Sequence, residues 1–191
     1  MKTLFVNACM RSRNSHTLEL CQHYLQGKVY ETVDLEQLQL APFDFTRAAQ
    51  RARLEKEGAW DDPYFDLAKQ LKEADEVLIG APYWDLSFPA ALKTYIEHTS
   101  IDGLTFHFTE EGTCEGLCKS KRLVYVSSCG GYLDGANFGF EYLCGIARMF
   151  KLGDCYQIAA QGMDVIGNDT EAEMQKAFEQ IDQLKESFSE S

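Results

Sequence analysis

Basic residues are the scarce charge in this sequence: 18 Lys and Arg stand against 30 Asp and Glu, a formal net charge of −12 at pH 7 with neutral His. That acidic excess disfavours nucleic acid and anionic lipid, which leaves a small soluble molecule as the expected partner. Proline and glycine are also few, 4 and 14 of 191 residues, which excludes collagen-like, low-complexity and wholly disordered chains. No run approaches the ~20 apolar residues of a membrane span. The N-terminal apolar stretch is too short before Arg11 and Arg13 to read as a secretory signal, so the expected compartment is the cytoplasm. Paired C-x-x-C spacings are missing. The seven Cys (9, 21, 114, 118, 129, 144 and 155) are odd in number and scattered, as expected of reduced thiols acting as small buried hydrophobes. Cys114 and Cys118 are the one metal candidate, without a neighbouring His to complete the set. G-x-G-x-x-G and G-x-x-x-x-G-K-[ST] are absent too, which removes the dinucleotide fingerprint and the P-loop NTPases.

What is present is a short apolar strand followed by a helical pattern, repeated along the chain. Strands are expected at Thr3 to Ala8, Val29 to Asp34, Glu76 to Gly80, Leu123 to Ser127 and Asp154 to Ala159, each read as covered on both faces. Helical spacing links Leu18, Cys21 and Leu25; Leu67, Leu71 and Ala74; Leu92 to Thr99; Ala136 to Phe150; and Met174 to Phe188. Thr170 and Glu173 form an expected capping box for the last helix, and Ser87 with Pro89 marks another helix start. Five alternations predict an α/β, doubly wound, five-stranded parallel sheet in the order 2-1-3-4-5, with helices on both faces, in a single domain over 1–191. Two stretches break the alternation. Ala41 to Tyr64 reads as a loop with a solvated helix, and Gly103 to Lys121 as a hairpin-like excursion turning at Glu111-Gly112.

A doubly wound sheet holds its ligand beyond the carboxyl ends of its strands, so the loops after the first, third and fourth strands carry the chemistry. Cys9 to Thr17 opens a helix. Free N–H groups there, with the Ser15 and Thr17 hydroxyls, suit a phosphate; the plainer reading is that Ser15 only caps the helix. Gly80 to Pro89 sets Tyr83 and Trp84 between two prolines, either lining a flat cofactor or forming a buried turn. Ser127 to Tyr132 carries Gly130-Gly131, which permits close backbone approach to a ring.

With these loops in view the sequence resembles the flavodoxin-fold FMN-dependent NAD(P)H oxidoreductases, most of all the bacterial azoreductases and more distantly DT-diaphorase. The matching stretches are Ser15-His16-Thr17, Ala81 to Asp85, Phe88 to Lys93, Gly103 to Phe106, Thr109 to Gly112, Glu115 to Leu117 and Ser128 to Gly131, covering most of the chain. The resemblance implies noncovalent FMN. Its phosphate would be held by Cys9, Ser15, His16 and Thr17, the last two partly through main chain. Its ring would lie along Pro82, Tyr83, Trp84, Asp85 and Leu86, with the pyrimidine edge at Ser128, Cys129, Gly130 and Gly131. It also implies a homodimer with active sites at the interface, which Phe106, His107 and Phe108 could reach, and Tyr132 is a further substrate-side candidate. The implied reaction is ping-pong: NADH or NADPH reduces the flavin and leaves, then a quinone or azo compound takes two electrons. His107 or a water is the candidate proton donor. Arg47, Arg51 and Arg53 are candidates for a 2′-phosphate.

The chain departs from the family pattern at Trp84 and Asp85, where Tyr and Asn are usual, at Cys9 for Ser, and at Cys129 for Arg. A carboxylate at position 85 is expected to lower the flavin potential by like-charge repulsion unless it faces solvent or is protonated. Rival readings are an electron-transfer flavodoxin, which would be expected to show a T-x-T-G-x-T loop, and an FMN-binding redox sensor using a low-pKa Cys9 or Cys129. A low-molecular-weight cysteine phosphatase would need an Arg six residues after Cys9, where Ser15 stands.

Overall fold

Five apolar segments pair side by side, all parallel: β1 (Lys2–Asn7), β2 (Val29–Asp34), β3 (Glu76–Gly80), β6 (Arg122–Ser128) and β7 (Asp154–Ala160), in the order β2-β1-β3-β6-β7. A separate antiparallel hairpin joins β4 (Phe106–Phe108) to β5 (Cys114–Gly116) inside the predicted excursion. The helices are α1 (His16–Leu25), α2 (Leu35–Leu38), α3 (Phe45–Glu57), α4 (Asp66–Lys72), α5 (Ala90–Thr99), α6 (Phe138–Phe150) and α7 (Thr170–Ser189). This computed structural model describes residues 1–10, 14–135 and 137–189; Arg11, Arg13 and Ala136, used in the sequence reading, lie outside them.

Alternate residues of each inner strand face opposite layers. Phe5, Leu78, Val124 and Val126 pack with Leu20, Tyr24, Ala177 and Ile181 of α1 and α7, while Leu4, Val6, Ile79, Leu123 and Tyr125 pack with Leu92, Leu143 and Phe150 of α5 and α6. A smaller cluster of Leu54, Phe65, Ala68 and Ile101 seats the charged α3 on α4, so the Ala41 to Tyr64 stretch is a solvated helix with one anchoring side.

Three sequence expectations need correction. β2 is not covered on both faces: Val29 to Thr32 are exposed, because this strand is the edge of the sheet and the helices cover its inner strands. The cap of α7 is Asp169, whose side chain accepts from the Ala172 N–H at 3.0 Å, so the cap lies one residue before Thr170, and Glu173 instead pairs with Lys176 at 2.5 Å. Pro89, not Ser87, precedes α5, and no side chain caps it.

At the opposite end of the strands from their exits, Glu76 is fully buried. It accepts from the Thr3 hydroxyl at 2.9 Å and from Lys28 Nζ at 2.8 Å, and faces Arg122 Nε at 3.4 Å. One carboxylate thus holds two largely buried cations. Glu76→Ala is expected to lower the unfolding free energy by about 3–5 kcal/mol, because Lys28 and Arg122 lose their counter-charge. A urea-melt change under ~1 kcal/mol would contradict this.

Candidate functional site

The strand exits enclose a cleft of about 170 Å³ where the chain order reverses between β1 and β3. Four loops line it: Met10 and Asn14 to His16 after β1, Pro82 to Trp84 after β3, Ser128 to Gly130 after β6, and Met163 and Asp164 after β7.

Ser15 both caps and lines. Its backbone is extended, its Oγ accepts from the Leu18 N–H at 3.2 Å and its carbonyl accepts from the Glu19 N–H. The N–H groups of His16 and Thr17 have no partner among the described residues. They stand at the positive end of α1, where an anion is stabilised. The Thr17 side chain is fully buried, its hydroxyl shared with that of Ser128 at 2.8 Å, so this residue offers main chain and not a hydroxyl. Cys9 lies beneath this loop. Its thiol turns inward, donating to the Gly80 carbonyl at 3.5 Å, and burial pushes it up to about 12 against a smaller opposing hydrogen bond from Ser15. It closes the floor beneath the loop.

After β3, the Tyr83 N–H donates to the Ser128 carbonyl at 2.9 Å, tying this loop to β6. Trp84 and Ser87 exchange both backbone hydrogen bonds, at 3.1 and 2.8 Å, around a two-residue turn in which Asp85 (φ 50°) and Leu86 (φ 66°) are both left-handed. Such turns favour Asn-Gly, and a non-glycine residue in this conformation costs roughly 1–2 kcal/mol. The strain sits beside the cleft, holding the half-exposed Trp84 at its wall. Asp85 and Leu86 are exposed and outside the lining. Asp85 therefore meets the solvent-facing exception, and the carboxylate that does line the cleft is Asp164.

The glycine loop is fastened to the exit of β7 by successive bonds: Gly162 N–H to Gly131 O at 2.7 Å, Met163 N–H to Cys129 O at 3.1 Å and Asp164 N–H to Gly130 O at 2.9 Å. The Asp164 carboxylate lies against Gly130, within 2.3 Å of where a Cβ would stand. Cys129 is buried with its thiol on the carbonyls of Gly131 and Ala160, and burial raises its pKa. Neither Cys9 nor Cys129 has the lowered pKa that a thiol sensor requires.

The remaining expected residues lie elsewhere in the same chain. Phe106 is a core residue stacked on Phe150 at the far end of α6, His107 faces Glu115 at 3.4 Å, and Phe108 is 58% exposed. None of the three lines the cleft. Tyr132 is exposed against Gly162, Gly131 flanks the lining, and the α3 arginines are engaged away from it: Arg47 with Asp44, Arg53 with Glu57, and Arg51 on the carbonyls of Glu97 and Ser100. Met10, Asn14, Met163 and Asp164 were not singled out from the sequence. The last two follow the fifth strand of the sheet, whose exit belongs to the same rim as the loops after β1, β3 and β6.

A family model described as a flavodoxin-like fold, Flavodoxin_2, matches residues 1–184. The chain belongs to this flavodoxin-like family. It is 37% identical to an FMN-dependent NADH:quinone oxidoreductase of Coprothermobacter proteolyticus, over 70% of this chain and 69% of that one. It is 30% identical to one of Clostridium perfringens, over 98% and 99%. Among solved structures, an FMN-dependent NADH-azoreductase of Bacillus anthracis in complex with FMN superposes with a TM-score of 0.83 at 20% identity, covering 98% of each chain, which shows a shared fold.

Two outcomes follow for this flavodoxin-like chain. Iodoacetamide at pH 8 is expected to label the exposed Cys114 and to spare Cys9 and Cys129, read by peptide mass spectrometry; rapid labelling of Cys9 would contradict its inward, high-pKa placement. Leu86→Gly is expected to raise the unfolding free energy by about 0.5–1 kcal/mol, the left-handed strain relieved minus the added unfolded-state entropy. A loss of stability would show that Leu86 is not strained.

Proposed function

We propose that the cleft binds FMN noncovalently and that the protein is an oxidoreductase passing a hydride from NADH to a quinone, azo or similar small acceptor. The observation that carries this reading is the pairing, in one cleft, of unsatisfied N–H groups at the start of α1 with the aromatic wall of Trp84. The first fits a terminal phosphate and the second a flat ring. The quinone oxidoreductases and the azoreductase named above support the same activity. The two-electron chemistry belongs to the flavin when bound. The chain's own share is to bind and orient: His16 and Thr17 N–H groups for the phosphate, Pro82 to Trp84 for the ring face, and the Gly130-Gly131 loop for its polar edge.

The same opening serves donor and acceptor in turn, a ping-pong order. NADH is favoured over NADPH because each α3 arginine offered for a 2′-phosphate is held elsewhere, and the relatives' names carry NADH. A second copy of the chain completes the site. Exposed Leu86, Tyr132, Phe138 and Ile166 lie on the loops and helix start around the cleft, and such apolar exposure fits a partner surface. The hairpin bearing His107 and exposed Phe108 then reaches the partner's cleft, where His107 or a water supplies the proton. An electron carrier shares the fold but has no need of rapid NADH oxidation.

The test is spectroscopic. Apoprotein mixed with FMN and washed is expected to keep a flavin absorption band, which NADH bleaches anaerobically within seconds and menadione restores. A band that NADH does not bleach would leave a carrier, and a colourless protein would overturn the reading. Light scattering is expected to give twice the chain mass; a monomer with full activity would contradict the shared site.

A further inference from the structure

The ring of an oxidised flavin carries one N–H, at N3, set between two carbonyl oxygens; its remaining ring heteroatoms only accept. The imide edge therefore presents acceptor, donor, acceptor, and a protein that grips it needs N–H donors on either side of one acceptor. The glycine loop and its neighbour supply both kinds of group. The N–H groups of Gly130 and Gly131 have no partner among the described residues, and the Asp164 carboxylate, an acceptor only, lines the cleft beside them without a hydrogen-bond partner among those residues. Its backbone is fastened to the loop. The three bonds from Gly162, Met163 and Asp164 to the loop carbonyls hold the exit of β7 against Cys129 to Gly131, and the Asp164 carboxylate lies beside Gly130.

We propose that Asp164 accepts the flavin N3–H and so determines recognition of the imide edge, with the two glycine N–H groups donating to the flanking carbonyls. The proposal rests on FMN binding as set out above. The phosphate is excluded as the neighbour of Asp164 by charge. A ribityl hydroxyl is the other donor that a flavin offers, and it is separated by the choice of probe.

The experiment titrates apoprotein, wild type, Asp164→Ala and Asp164→Asn, with FMN and with N3-methyl-FMN, following quenching of flavin fluorescence. A charge-assisted hydrogen bond predicts that methylation weakens binding to wild type about ten- to a hundredfold. In Asp164→Ala, FMN affinity falls by a similar factor and the two flavins bind within about threefold of each other. Asp164→Asn, whose amide oxygen still accepts, retains most of the preference for FMN. An equal FMN to N3-methyl-FMN ratio in wild type and Asp164→Ala overturns the proposal, including the case in which Asp164 meets a ribityl hydroxyl. Wild type that binds neither flavin overturns FMN binding itself. Because Asp164 is exposed in the free chain, its replacement leaves the core intact, which circular dichroism checks.

Discussion

The strand-order reversal between β1 and β3 is the constraint on which the rest depends. β1 is followed by a helix leading to β2 on one side, whereas β3 lies on the other side and continues to β6 and β7. Loops leaving β1 and β3 therefore diverge, and the space between them cannot be filled by either connection. Helix α1 starts at the edge of that space, so the N–H groups that its own first turn cannot satisfy point toward a ligand and not into a neighbour. The glycine loop after β6 is drawn to the same rim by the Thr17 to Ser128 contact and by the Tyr83 to Ser128 bond. Topology makes the cleft, and a few hydrogen bonds decide its walls.

Much of the architecture could be read from the sequence because inner parallel strands have to be apolar on both sides. Segments such as Leu4 to Val6, Val77 to Ile79 and Leu123 to Val126 leave no amphipathic alternative. The same rule failed for Val29 to Thr32, since the residue types of an edge strand resemble those of a covered one while its position in the sheet does not appear in the chain locally. Caps were misplaced by one or two residues, at Asp169 and Pro89, where several capping residue types stand side by side. The Trp84 to Ser87 turn was hidden for a different reason: Asp85-Leu86 violates the residue preferences of the conformation it adopts, so surrounding structure must impose it. Asp164 carried no motif, and only its contact with Gly130 reveals it.

The two carboxylates that the structure sets apart do opposite work. Glu76 is buried, bonded to Thr3 and Lys28 and ion-paired with Arg122, and belongs to stability. Asp164 is exposed, uncommitted and held on the wall of the cleft, and belongs to recognition. The net charge of −12 is thus no guide to the cleft itself, where the free N–H groups at the start of α1 stand at one side and the Asp164 carboxylate lines another.

The central claim is that the helix start grips a phosphate while the loops around it hold a ring. Calorimetric titration of the apoprotein with FMN and with riboflavin, which lacks only the phosphate, tests it most directly. Several charge-assisted hydrogen bonds at the start of α1 predict FMN binding at least about a hundredfold tighter than riboflavin, with the difference shrinking in high salt. Equal affinity for the two would contradict the account.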